Sequence, residues 1–144
     1  MTRFDRDGQR LFCMHVKQGQ PELRQGHKAS CFLIVEHLDN EDFIRLKSLA
    51  MMMSGCDRFR LYGKQEPLWY RLMDYTEWEL YKDGPDEPSK MIVGYDDPDG
   101  FAEELARNIC IREFTLRDTF LMYDDPAAYR DMIGRLEKAM CRED

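Results

Sequence analysis

The sequence predicts one small α/β domain over residues 1–144: a mainly parallel sheet of about four to five strands, helices on both faces, and an extra strand near the N-terminus. Three observations predict it. A motif occurs twice, as Val93-Gly94-Tyr95-Asp96-Asp97-Pro98 and as Leu121-Met122-Tyr123-Asp124-Asp125-Pro126. In each copy an apolar run ends at a tyrosine, two aspartates follow, and a proline opens a segment of helical spacing, which reads as strand, tight turn, helix. An aromatic residue also stands four positions after each presumed helix cap: Phe43 after Asp39, Trp69 after Gln65, Phe101 after Asp97 and Tyr129 after Asp125. Finally, Cys31-Phe32-Leu33-Ile34-Val35 is a continuous apolar run, the pattern of a central strand covered on both faces. The intervals between caps (39 to 65, 65 to 97, 97 to 125) are each the size of one strand-helix unit. Four such units in residues 31–144 imply parallel strands joined by right-handed crossovers.

Composition bounds the rest. With 43% hydrophobic residues, 8 Phe, 7 Tyr and 2 Trp, the chain carries enough bulk to bury a core despite 34% charged residues. It has no run of 18 apolar residues and no signal-peptide core at Met1-Thr2-Arg3-Phe4, so a cytoplasmic protein with no membrane contact is expected. Cys13, Cys31, Cys56, Cys110 and Cys141 are odd in number and form no CxxC pair, which argues for reduced thiols serving as small core residues. The net charge of -7 is uneven: residues 1–30 hold six Lys/Arg against three Asp/Glu, and the remainder is correspondingly more acidic. Such a surface repels phosphate backbones, which disfavours nucleic acid and favours basic proteins or metal ions.

In chain order, Leu11–Val16 reads as a short strand, and the segment from Gln18 to Lys28, rich in Gly and polar residues, as an exposed loop. After the Cys31–Val35 strand, Phe43, Leu46, Ala50 and Met53 recur at helical spacing, predicting a helix over Asn40–Ser54 with Asp39 as cap, Gly55 as stop and Met53 as core filler. Phe59–Gly63 reads as a strand. Gln65-Glu66-Pro67 opens a helix carrying Leu68, Trp69, Leu72, Met73 and Tyr75. Trp78–Tyr81 fits a strand or a last helical turn, and Lys82–Ser89 must be a loop. Beyond the repeated motif, Phe101, Leu105 and Ile109 line one helix and Tyr129, Ile133, Leu136 and Met140 another, with Cys110–Arg117 between them as loop or strand. The whole fits a three-layer, flavodoxin-like or Rossmann-like sheet.

That arrangement puts every strand-to-helix turn on one sheet edge, where open α/β sheets usually take ligands. The edge holds Glu36, Asp39, Glu41, Asp42, Glu66, Asp96, Asp97, Asp99, Asp124 and Asp125 against His37 and Lys64. Asp97 and Asp125 are explained as caps, followed by Pro98 and Pro126 in the first turn. Asp96 and Asp124 are not needed for capping and remain in solvent or free for a partner. No P-loop, dinucleotide fingerprint or nucleophile motif accompanies the carboxylates. A zinc set drawn from Cys13, His15, Cys31 and His37 matches no ligand spacing, and no cofactor is implied. His37 beside Glu36 could serve as a general base, but such a histidine is more often a turn residue.

The expectation is a non-catalytic protein-binding module, acting as an inhibitor or immunity-type protein, with Glu36, Asp39, Glu66, Tyr95, Asp96, Tyr123 and Asp124 as the surface offered to a basic partner. Small acidic α/β domains without a catalytic signature are a type that toxin-neutralising immunity proteins and phage-encoded inhibitors often show, an analogy of class carried by no motif. The alternative is a small Mg²⁺-dependent phosphoryl-transfer, nuclease or nucleotide-binding enzyme using the same carboxylates. The sequence sets neither the partner's identity nor the oligomeric state.

Overall fold

Strands Thr2–Arg6 (β1), Gln9–His15 (β2), Lys28–Ile34 (β3), Cys56–Tyr62 (β4), Met91–Tyr95 (β5) and Arg117–Tyr123 (β6) form one sheet in the order β1-β2-β6-β3-β4-β5. The computed structural model describes residues 2–6, 9–19, 21–23, 25–84, 91–110 and 117–143, excepting the side chains of 2–6, 9–10, 91 and 141–143. β2, β6, β3, β4 and β5 are mutually parallel and β1 pairs antiparallel with β2. Helices Glu41–Met53 (α1), Glu66–Tyr81 (α2), Pro98–Cys110 (α3) and Pro126–Glu143 (α4) follow β3, β4, β5 and β6 in turn. The expected four strand-helix units and extra N-terminal strand are therefore present, as one three-layer α/β domain. Taken in chain order, the five parallel strands lie as 1-5-2-3-4.

The apolar run of β3 explains the layers. Cys31 and Leu33 pack on one face with Ile44, Met51 and Met52 of α1 and Trp69, Leu72 and Met73 of α2. Phe32 and Ile34 pack on the other with Phe101, Leu105 and Ile109 of α3 and Met132 and Leu136 of α4. Alternate residues of one strand thus anchor two cores, each fully buried large side chain contributing about 1.5–3 kcal/mol. Leu23 and Val16, from the connection between β2 and β3, close the first core.

The caps follow the expected chemistry with one shift. Asp97 accepts from the N–H groups of Asp99 (3.1 Å) and Gly100 (3.3 Å), and Asp125 from that of Ala127 (3.1 Å). At α1 the cap is Asn40, whose side chain accepts from the Phe43 N–H at 3.0 Å. The expected cap, Asp39, stands one residue outside the helix. Gly55 does end the turn, at φ 108°. Gln65 holds the cap position of α2 without a side-chain bond. The turn is secured by the backbone instead, through Gln65 N–H to Val35 O at 2.9 Å and Glu66 N–H to Gly63 O at 3.1 Å. Gly63 has φ 120°, and a Cβ there would stand 2.4 Å from Val35 O, so no other residue fits. Trp78–Tyr81 is the end of α2; Cys110 ends α3 and Arg117 opens β6, while 111–116 and 85–90 lie outside the described residues.

The stripe assigned to α1 is rotated from expectation. Leu46 and Met53 are 68% and 72% exposed, and the inward residues are Ile44, Lys47, Ser48, Met51 and Met52. Two apolar stripes overlap on this helix, and the inward one carries polar groups that the fold satisfies: Lys47 Nζ donates to Gly19 O, and Ser48 Oγ donates to Ile44 O at 2.7 Å. In α2, Tyr75 is 50% exposed and the neighbouring Thr76 is buried. No helix among the described residues is long and apolar enough to cross a membrane.

The connection after β3 turns toward α1 and the one after β6 toward α4, on opposite faces, so the sheet's switch point lies between these neighbouring strands. Asp124 occupies it. Its carboxylate accepts from the backbone N–H groups of Glu36, His37 and Leu38, each at 2.8 Å. This corrects the view of Asp124 as a solvated or partner-facing residue: three successive amides converge on it as they would on a bound anion. Hydrogen bonds to a charged group are worth about 1.5–3 kcal/mol each and are not additive, so Asp124→Ala is expected to cost roughly 3 kcal/mol, against about 1 kcal/mol for the cap variants Asp97→Ala and Asp125→Ala. Urea unfolding checks the ranking; an Asp124 variant no weaker than the caps would mean that water serves those amides equally well.

Candidate functional site

A cleft of about 440 Å³ opens at the carboxyl ends of β4 and β5, lined by Glu36, Tyr62, Gly63, Lys64, Glu66, Pro67, Tyr95 and Asp96. Three separate turns build it. Glu36 follows β3 in the loop gripped by Asp124, Glu66 and Pro67 begin α2 after the Gly63 turn, and Tyr95 with Asp96 ends β5. Glycine at 94 gives Glu66 its place: a Cβ there would fall 1.6 Å from Glu66 Oε1, so the carboxylate lies against bare backbone of the neighbouring strand.

Tyr62 and Tyr95 are the last residues of their strands and share one support. The buried Phe101 ring lies 5.8 Å from Tyr62 and 5.9 Å from Tyr95, edge-on to the latter, and meets Phe32 at 5.4 Å from beneath. Partial burial raises the pKa of both phenols, with Glu36 adding to the effect at Tyr62 and Glu104 at Tyr95, where a hydrogen bond from Arg60 opposes it. Both therefore remain neutral hydroxyls, able to donate and accept. Glu66 is shifted the same way, its pKa raised first by partial burial and then by the neighbouring Asp96 charge.

Of the seven residues assigned to the site, four meet in this cleft: Glu36, Glu66, Tyr95 and Asp96. Asp39 is exposed beside the α1 cap and does not line it. Asp124 is engaged by backbone, and Tyr123 stacks on Tyr129 at 4.4 Å with its edge toward His15 at 5.6 Å. Tyr62 and Lys64, which the sequence pattern also puts on this edge, complete the lining. The signal for Tyr62 was present, since tyrosine closes β4, β5 and β6 alike.

Other acidic residues of the edge are also engaged. Asp99 pairs with Arg135 at 2.6 Å, Glu41 lies 3.8 Å from Arg45 and 3.9 Å from Arg71, and His37 lies 3.6 Å from Asp125. Among the described residues no three His, Cys, Asp or Glu side chains are arranged to hold a metal ion. Cys13 and Cys31 belong to opposite faces of the sheet, which separates the zinc set considered from the sequence. Cys31 instead lies with its thiol 2.9 Å from that of Cys56, both fully buried, and burial raises its pKa well above the usual thiol value. The Cys13 thiol is likewise pushed up to about 11 by burial. These are inert core thiols.

No protein-family model matches the chain, and no curated protein matches it either. The geometry therefore carries the reading by itself: three carboxylates with one lysine between two neutral tyrosines can bind a cationic side chain, solvate it with carboxylate oxygens and pack its stem on aromatic rings.

The raised pKa of Glu66 has a defined consequence for stability. In the window above its ordinary value, near 4.3, and below its folded value, the native state holds the proton more tightly than the unfolded chain does. The contribution is full below that window and is lost as pH rises through it. Glu66→Gln is expected to remove this part of the pH dependence and to match or exceed the wild-type melting temperature at pH 7, as measured by thermal melts from pH 4 to 8. A variant less stable than wild type at pH 7 would show that the ionised carboxylate is held favourably.

Proposed function

We propose that the chain is a non-catalytic protein-binding module, of the inhibitor or immunity type, which takes a basic partner on its acidic, tyrosine-bearing sheet edge. One observation carries this reading: Glu36, Glu66 and Asp96, from three different turns, meet in a single cleft flanked by Tyr62 and Tyr95, with Lys64 the single cation among the lining residues. Carboxylates already committed to caps and ion pairs offer a partner little. These three lack such commitments to a cation at hydrogen-bonding distance among the described pairs, and the Glu66 charge is disfavoured first by partial burial and then by Asp96, so an arriving Lys or Arg side chain relieves the repulsion from Asp96. The overall charge of -7 steers such a partner toward the protein. Tyrosines held on Phe101 provide apolar area at small entropic cost. A cytoplasmic setting accords with buried thiols that need no oxidising compartment.

The test compares the wild-type protein with Glu36→Gln/Glu66→Gln/Asp96→Asn, both tagged and exposed to lysate at low salt, with retained proteins identified by mass spectrometry. The expected result is a basic protein retained by the wild type, released by salt and lost from the triple variant. Its purified form should associate with the wild type at a rate that falls steeply with ionic strength, and with the variant more slowly and with a flatter salt dependence. A saturable rise in melting temperature with Mg²⁺, absent from the triple variant and unmatched by NaCl of equal ionic strength, would replace this reading with a Mg²⁺-dependent enzyme.

A further inference from the structure

Among the described residues, the large apolar side chains left exposed all belong to one helical layer: Leu46 and Met53 of α1, and Tyr70, Tyr75, Trp78 and Leu80 of α2. Between the two helices runs a groove of about 400 Å³ whose walls include Leu46, Leu49, Tyr75 and Leu80, with Arg45 on the α1 wall and Glu79 on the α2 wall. The aromatic residues beside it are ordered from within. Tyr75 and Trp78 have ring centroids 6.1 Å apart, and Lys82 Nζ lies 5.2 Å over the Trp78 ring. Trp, Tyr and Arg around a central apolar groove are the side chains that dominate binding energy at protein interfaces.

The charges identify the occupant. A second copy of a protein carrying -7 is repelled by most of its surface, whereas this groove holds one cation and one anion and so presents no net repulsion. A two-fold axis midway between Arg45 and Glu79, perpendicular to the line joining them, sets Arg45 of each copy against Glu79 of the other while apolar wall meets apolar wall. Isologous pairing requires this self-complementarity. The present partners, Glu41 for Arg45 at 3.8 Å and Lys82 for Glu79 at 3.6 Å, are exposed pairs that cost little to exchange. We propose that the outer face of α1 and α2 binds a second copy of this chain, giving a two-fold dimer. The acidic cleft, at the carboxyl ends of the strands, lies outside this contact, so the dimer would present two clefts.

Sedimentation equilibrium across the micromolar range tests the proposal. The wild type is expected to show a concentration-dependent shift from monomer to dimer. Leu46→Glu and Trp78→Ala, both at exposed positions, should each weaken dimerisation about tenfold or more with an unchanged melting temperature for the monomer. Arg45→Glu should weaken it as well, and Arg45→Glu with Glu79→Arg should restore it, because the two-fold axis pairs the swapped charges again. A wild type that stays monomeric throughout overturns the proposal and leaves this face to a different protein. So does a dimer indifferent to Leu46→Glu and Trp78→Ala, or one that the double charge swap fails to restore.

Discussion

The grip of Asp124 on the amides of Glu36, His37 and Leu38 is the interaction on which the working edge of this protein depends. In an open α/β sheet the crevice at the switch point is where backbone donors stand free for a ligand. Here the chain fills that crevice with its own carboxylate. The loop is held from a second side by the buried Trp69, whose indole N–H donates to Leu38 O at 2.9 Å. Strands β3 and β6 and helix α2 are thereby tied to one three-residue segment. The residue at its head, Glu36, gives its N–H to Asp124 and its side chain to the neighbouring cleft. Open space is displaced by two strand positions, from between β6 and β3 to the ends of β4 and β5.

The acidity of the edge has two physical origins. Asp97 and Asp125 meet helix N–H groups, Asp99 bridges α3 to Arg135 of α4, and Asp124 holds a loop; each carboxylate answers a need created by the fold. The charges of Glu36, Glu66 and Asp96 answer no comparable need among the described pairs, and the pKa of Glu66 is raised first by its partial burial and then by the Asp96 charge. In the function proposed above, this group of like charges serves as a binding surface for cations, and its cost to the free protein is offset by the partner's charge.

The two helical layers differ in the same sense. On the α3/α4 side, Phe101, Leu105 and Leu136 close a core beneath charged outer faces, and the polar Asn108 buried there is satisfied, donating to Thr119 and accepting from Ser30. On the α1/α2 side the arrangement is partly inverted, with Lys47, Ser48 and Thr76 inside and Leu46, Met53 and Trp78 outside. A buried lysine costs stability, and burial lowers its pKa, but its bond to Gly19 O ties α1 to the connection between β2 and β3 on that face. Of these surface residues Leu46 lines the groove, together with Leu49, Tyr75 and Leu80.

What the sequence determined by itself was local: helix starts at Pro98 and Pro126 behind their capping aspartates, the stop at Gly55, the two-sided burial of Cys31–Val35, and the fourfold strand-helix alternation that makes the sheet parallel. Capping geometry, the φ allowed to glycine and the alternation of side chains along a strand act within a few residues, so they are readable without knowing what packs on what. Tertiary structure decided everything that depends on a distant partner. It turned α1 so that Met51 and Met52, rather than Leu46 and Met53, face the sheet, because two apolar stripes overlap in that helix and only the position of the sheet chooses between them. It took Asp124 from the surface by bringing residues 36–38 to it, and it drew Glu36, Glu66 and Asp96 together across three turns. No periodicity records such meetings, since the residues are separated in the chain by the lengths of whole strands and helices.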